Sequence, residues 1–243
     1  MKSMILLPGS SGPFVRDMQV ALNNRLNPSP NLMVSGIFDT ATGRAVRLLQ
    51  TAKWLEVDGV AGQGTLDALF DTETSRPILH DVRFLTQPTE TTCWATSTAM
   101  LKGCTIAAIQ MRTPAEMLNA EGALIHNGAN GAMHSVPRAF ARVHGLQYHP
   151  PQRWQVGPLI KLLQKGPVMM ELQWNPQSHR PGRGACNHYC LIIGARGSHG
   201  ASGQTTTLRI CNPFPPGQGN VLSKSYDRLL REIPQSSFGL MTL

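Results

Sequence analysis

The sequence predicts an α+β protein, with a small helical region first and then a larger region in which helices precede an antiparallel sheet. Three observations carry this. Residues 13–52 hold apolar side chains at helical spacing. Residues 71–80 (DTETSRPILH) are polar, contain a proline and lack periodicity, so they read as a linker between a domain at 1–70 and one at 81–243. Strand-like apolar runs then cluster late, at 167–173, 188–195, 205–211 and 238–243.

Composition narrows the class. The chain is 41% hydrophobic and 15% charged, enough apolar material for a packed core and unlike a disordered chain. With 23 Gly and 18 Pro it is too rich in turns for a helical bundle. No apolar run approaches the roughly 18 residues of a membrane span, so no membrane partner is expected. The first residues, MKSMILLPGSSG, contain only the apolar run Met4–Leu7. A Sec signal core needs about seven, so export is expected by a route that reads no Sec signal.

The net charge of +8 is unevenly spread. Residues 1–70 carry six basic and five acidic side chains, whereas 81–243 carry fifteen and seven. A basic second half suits an anionic partner or surface. It has no Lys/Arg run interleaved with aromatics, so no nucleic-acid partner is expected.

In the first region, Pro13–Leu26 places Phe14, Met18, Ala21, Leu22 and Leu26 on one helical face, with Pro13 suited to the first turn. Residues 41–52 repeat the pattern through Ala45, Val46, Leu48 and Leu49. Across this region Val34-Ser-Gly-Ile-Phe-Asp-Thr-Ala-Thr42 aligns with Val57-Asp-Gly-Val-Ala-Gly-Gln-Gly-Thr65. In each copy the glycine should permit a tight turn, its apolar neighbour should fill the core, and polar residues around the threonine should cap the next helix. Gly12, Val15, Gln19, Leu22, Leu49-Gln50 and Asp58-Gly59-Val60-Ala61-Gly62 resemble the small three-helix peptidoglycan-binding domain of bacterial cell-wall enzymes. Its first unit departs, with Ser35 for Asp and Asp39 for the second Gly. The resemblance covers about residues 8–70 and implies a three-helix domain with peptidoglycan as partner. The same module also serves elsewhere as a docking or spacer domain.

In the second region, Cys93–Lys102 should form a short helix stopped by Gly103, and Thr113-Pro-Ala-Glu116 should open another. Further helices are expected at 137–144, 158–165 and 225–232. A cysteine in a first helical turn lies where backbone N–H groups and the helix dipole favour thiolate, and where the same N–H groups can hold an oxyanion. Gln87 lies six residues upstream and could add a side-chain N–H. His188 opens one strand and Asn212 follows the next, with the glycine-rich 196–203 suited to a hairpin between them. That hairpin would bring Asn212 beside the imidazole, where its oxygen could fix the tautomer.

The series Gln87-x5-Cys93-Trp94-Ala95, Asn187-His188-Tyr189 and Cys211-Asn212-Pro213 resembles the papain-like cysteine peptidases. The resemblance implies a helical lobe plus an antiparallel β-sheet lobe over 81–243. It also implies Cys93 as nucleophile, His188 as base, Asn212 as its orienting partner and Gln87 in the oxyanion hole. Thr91-Thr92 before the cysteine, Pro213 in place of a Ser-Trp pair, and the short span from Cys93 to His188 depart from the digestive enzymes. They are closer to compact bacterial effector peptidases.

Cys186, His188 and Cys190 alternate along one strand with His179 upstream, but the paired spacing of a zinc site is absent, so no metal or cofactor is expected. The other histidines, including His126 and His134, form no recognisable spacing. The other four cysteines (104, 186, 190, 211) are read as reduced core residues.

The expected function is peptide-bond hydrolysis by a secreted antibacterial effector toxin, delivered by a contact-dependent system such as type VI. It would act on a protein or peptide substrate in the periplasm or cytoplasm of a target bacterium, with a cognate immunity protein in the producer. Two alternatives stand beside it: a peptidoglycan amidase or endopeptidase cutting stem peptides, and an inactive papain-like binding module.

Overall fold

The computed structural model describes residues 4–127, 134–174, 186–198, 203, 205–233 and 237–243. The chain falls into two compact units. The first comprises Met1–Pro77, Arg196–Leu208 and Ser223–Asp227, and the second Ile78–Ala195, Arg209–Leu222 and Arg228–Leu243. The first unit thus ends its opening run inside the 71–80 stretch and takes in two later stretches as well.

Three helices build the first unit: α1 (Pro13–Arg25), α2 (Thr40–Ala52) and α3 (Gln63–Phe70). Their core includes Val15, Met18, Leu22, Phe38, Val46, Leu49 and Leu69. The buried stripe of α1 is rotated from the expected one: it runs through Val15, Met18, Gln19 and Leu22, and Phe14 is 62% exposed. Buried Gln19 is the reason, a polar residue at the centre of the stripe that hydropathy spacing does not count.

The internal repeat is visible as two glutamine staples. Gln19 Nε2 donates to Ile37 O (2.9 Å) and Thr42 Oγ1 (3.0 Å), while its Oε1 accepts from Gly36 N (2.8 Å). Gln50 Nε2 donates to Val60 O (3.0 Å) and Thr65 Oγ1 (3.3 Å), and its Oε1 accepts from Gly59 N (2.9 Å). Each amide thereby satisfies a turn's backbone groups and a buried threonine, as groups withdrawn from water require. Gly36 and Gly59 have φ of +75° and +78°, the left-handed region in which a side chain is strained. The apolar neighbours do not fill the core as expected. Ile37 is 55% exposed and lends its carbonyl instead, while the next residues, Phe38 and Ala61, are buried. Asp39 caps α2 through Thr42 N (2.8 Å), whereas α3 begins at Gly62 with no side-chain cap.

The second unit contains most of an antiparallel sheet in the order β2-β7-β3-β4-β5-β6, with β1 (Ile78–Leu79) paired to β4. The strands are β2 (Gln147–Gln152), β3 (Val168–Trp174), β4 (Cys186–Arg196), β5 (Thr207–Asn212), β6 (Asn220–Ser225) and β7 (Phe238–Thr242). Helices α4 (Cys93–Lys102), α5 (Ile106–Arg112), α6 (Ser135–His144), α7 (Val156–Leu163) and α8 (Tyr226–Glu232) complete the described elements. A helix begins at neither Thr113 nor Pro114; only a single 3-10 turn, Ala115–Met117, forms there. The Thr113 hydroxyl is spent elsewhere, donating to Ile109 O (2.8 Å) at the end of α5 and meeting His144 Nε2 (2.8 Å).

Helix α4 is buried from Cys93 to Leu101, so its hydroxyls must find partners inside. Thr96 and Thr98 donate to the carbonyls one turn back, and Ser97 Oγ reaches across to Tyr189 O on β4 (2.9 Å). Trp94 anchors the helix start, with its indole edge against Phe140 at 5.6 Å and Nε1 donating to Gly122 O (3.1 Å). No described helix is long and apolar enough to cross a membrane.

Candidate active site

Cys93 is the first residue of α4 and is 6% exposed. The helical ladder starts with Thr96 N donating to Thr92 O (3.0 Å), and no side chain caps the first turn. The N–H groups of that turn therefore keep the orientation that favours an anion at the helix start. The Ser97–Tyr189 bond pins this helix to β4. Cys93 lies one helical turn before that anchor and His188 one residue before it. Cys93 and Tyr189 also share one hydrophobic cluster.

His188 lies on β4 opposite Leu172 of β3. Its Nε2 is 2.9 Å from Asn212 Oδ1 at the end of β5. Asn212 Oδ1 also accepts from Phe214 N (3.1 Å), which holds the amide with its oxygen turned to the imidazole. An amide oxygen only accepts, so His188 Nε2 carries a proton, and in the neutral ring the lone pair is on Nδ1. The Phe214 ring stands edge-on to the imidazole at 6.3 Å.

Gln87 is fully buried and sewn to the same loop: its N donates to Pro213 O (3.1 Å) and its O accepts from Gly217 N (3.0 Å). Its Nε2 donates to Thr89 O (2.7 Å), which leaves the second amide N–H for another acceptor. Gln87 Oε1 is buried without a hydrogen-bond partner among the described residues.

The family model described as papain-like cysteine protease AvrRpt2 matches residues 77–215, more than half of the 243. The chain belongs to this papain-like cysteine protease family. A second model, described as a peptidoglycan binding domain, matches residues 11–69. No curated protein matches the chain. The match to the protease family spans Gln87, Cys93, His188 and Asn212, and that to the peptidoglycan-binding domain spans both glutamine staples.

Within the protease domain Cys190 and Cys211 are poor nucleophiles by environment. Burial pushes the Cys190 thiol far up, with the neighbouring Cys93 and Cys211 adding to it. Burial raises Cys211 to about 11, opposed by the Arg209 charge. Neither yields much thiolate at neutral pH. None of Cys93, Cys104, Cys190 and Cys211 is in a disulfide. His179 and the side chain of Cys186, named in the rival zinc reading, lie outside the described residues, and His188 is engaged with Asn212.

Two features escaped sequence reasoning. Phe214 supplies an aromatic ring beside His188 although Pro213 breaks the expected Ser-Trp pattern; an aromatic one residue later was the available signal. Glu171, on β3 opposite Tyr189, is 3% exposed and gathers Tyr148, Tyr189 and His126 around its carboxylate. A single Glu in an apolar strand gives no hint of this, because its partners come from three distant segments.

Proposed function

We propose that this protease hydrolyses peptide bonds through Cys93, His188 and Asn212, with Gln87 in the oxyanion hole. The observation that carries the reading is the His188 Nε2–Asn212 Oδ1 bond of 2.9 Å, which leaves Nδ1 as the basic nitrogen, on a strand pinned to the Cys93 helix. Cys93 Sγ gives its proton to His188 Nδ1 and forms a bond to the scissile carbonyl carbon. The carbonyl electron pair moves to oxygen, where the Cys93 N–H and the second Gln87 amide N–H receive it. Collapse breaks the C–N bond, and the leaving amine takes the proton from His188. Water, deprotonated by the same nitrogen, then cleaves the thioester, releases the carboxylic acid and restores the thiol.

The biological setting follows as part of the same proposal. The chain acts as a secreted antibacterial effector, exported by a contact-dependent system of the type VI kind, on a protein in the target cell. A cognate immunity protein protects the producer. The match of residues 11–69 to a peptidoglycan-binding domain supports wall docking. The excess of basic over acidic side chains in 81–243 suits an acidic inhibitor or substrate.

The same match favours a second reading, an amidase or endopeptidase that cuts peptidoglycan stem peptides. Incubating wild type and Cys93→Ala with target-cell lysate and with isolated sacculi separates the two. New protein N-termini that depend on Cys93 support the protease. Cys93-dependent release of muropeptides without protein cleavage transfers the assignment to the wall enzyme.

A further inference from the structure

His126, His134 and Glu171 place their ligand atoms within 4.8 Å of one another, although 45 residues separate the first from the last in the chain. Glu171 Oε1 is 3.1 Å from His126 Nδ1, and the rings of His126 and His134 meet edge-on with centroids 4.4 Å apart. His134 N donates to Asn127 Oδ1 (3.3 Å), which holds the two histidine-bearing ends together.

The hydrogen bonding among these groups is incomplete among the described residues. His126 Nδ1 faces the Glu171 carboxylate and also lies 2.9 Å from Asn187 Nδ2. One ring nitrogen cannot both donate to the carboxylate and accept from the amide. His134 Nδ1 is shielded from water and has no hydrogen-bond partner among the described residues. A metal ion between the two imidazoles and the carboxylate supplies the missing partner of His134 Nδ1 and replaces the His126–Glu171 contact, with the Asn187 N–H turned to another acceptor.

The carboxylate is also prepared for such a role. Tyr148 Oη donates to Oε2 (3.1 Å) and Tyr189 Oη to Oε1 (3.1 Å), which fixes its plane as outer hydrogen bonds fix ligating carboxylates. Tetrahedral zinc with N and O ligands at about 2.0–2.2 Å sets them roughly 3.3–3.5 Å apart. The 3.1 Å Glu171–His126 pair is already close to that edge, and His126, with a side chain 19% exposed, has room to turn.

We propose that His126, His134 and Glu171 form a binding site for a divalent first-row cation, Zn2+ by ligand type, with a fourth position open to water. Two imidazoles and one carboxylate are a set that zinc takes, and hard cations such as Mg2+ prefer all-oxygen sites. The site brackets the proposed base: Asn187 precedes His188 and touches His126, and Tyr189 follows it and holds Glu171. Loading therefore fixes Glu171 beside Tyr189 and changes the partner of Asn187, the two neighbours of His188.

The test uses the full chain carrying Cys93→Ala, so that the reactive thiol cannot bind the ion. Calorimetric titration with Zn2+ should give one equivalent, and Co2+ should show d–d absorption without a thiolate charge-transfer band. His126→Ala and His134→Ala, each checked for an unchanged melting profile, should weaken binding at least about tenfold, as loss of even a supporting partner does. If either alanine variant fails to fold, the Gln variant at that position replaces it. Absence of stoichiometric binding, full retention of it in both histidine variants, or a thiolate band would overturn the site. None of these results bears on peptide hydrolysis by Cys93.

Discussion

Single side chains in this protein are set apart by what surrounds them rather than by their type. Of the described thiols, Cys190 and Cys211 are held protonated by burial, whereas Cys93 sits at an uncapped helix start. His144 shows the same control in a structural role. It is 1% exposed, and burial, then the charges of Arg112 and Lys102, lower it from 6.5 to about 4. The folded state therefore refuses a proton that the unfolded chain accepts. Stability conferred by neutral His144 is complete above about pH 6.5 and is lost as pH falls towards 4, by on the order of 3 kcal/mol at the lower end. Urea unfolding at pH 7 and pH 5 should show this loss, and His144→Gln should flatten the dependence; an unchanged slope in the variant would assign the effect to other groups.

Elements place such residues, and the loop after β5 places Asn212. Gly219 has φ of +52°, and a Cβ there would come within 2.7 Å of Phe84 Cζ and 2.9 Å of Asn212 O. Gly219→Ala must push on the backbone that carries Asn212, so it should lower kcat on a peptide substrate at least about tenfold, the order that a 1 Å misplacement costs. Its melting temperature should fall by only a few degrees; wild-type kcat in this variant would remove the loop from the mechanism. The sequence made some elements legible and hid others for physical reasons. Helix α4 was readable to the residue because Gly103, at φ +63°, stops it in the left-handed conformation. Strand β2 was hidden by Pro150 and Pro151, which an edge strand tolerates because it needs fewer ladder donors. Helix α5 has seven residues and one buried side chain, too little for a periodic signal. The phase of α1 was hidden because buried Gln19 replaces an apolar residue in its stripe.

At the scale of the whole molecule, two kinds of information met unequally. Gln87, Cys93, His188 and Asn212 could be picked as candidates from the sequence because each lies in a short readable motif. The cluster at Glu171 could not, because two histidines eight residues apart meet a carboxylate from a separate strand and neither part carries a motif. The charge is also a property of the whole: the excess of basic residues lies in 81–243 and not in the stretch matched to the peptidoglycan-binding domain. The proposed wall docking by 11–69 therefore has no net positive charge to draw on in that stretch. Five cysteines in one chain make the central claim directly testable. The intact protein is treated at neutral pH with a sub-stoichiometric peptidyl epoxide, and the adduct is located by mass spectrometry in wild type and in His188→Ala. The account predicts one adduct, on Cys93, formed at least about 100-fold more slowly without His188. Adducts spread over several cysteines, or a Cys93 rate indifferent to His188, would contradict it.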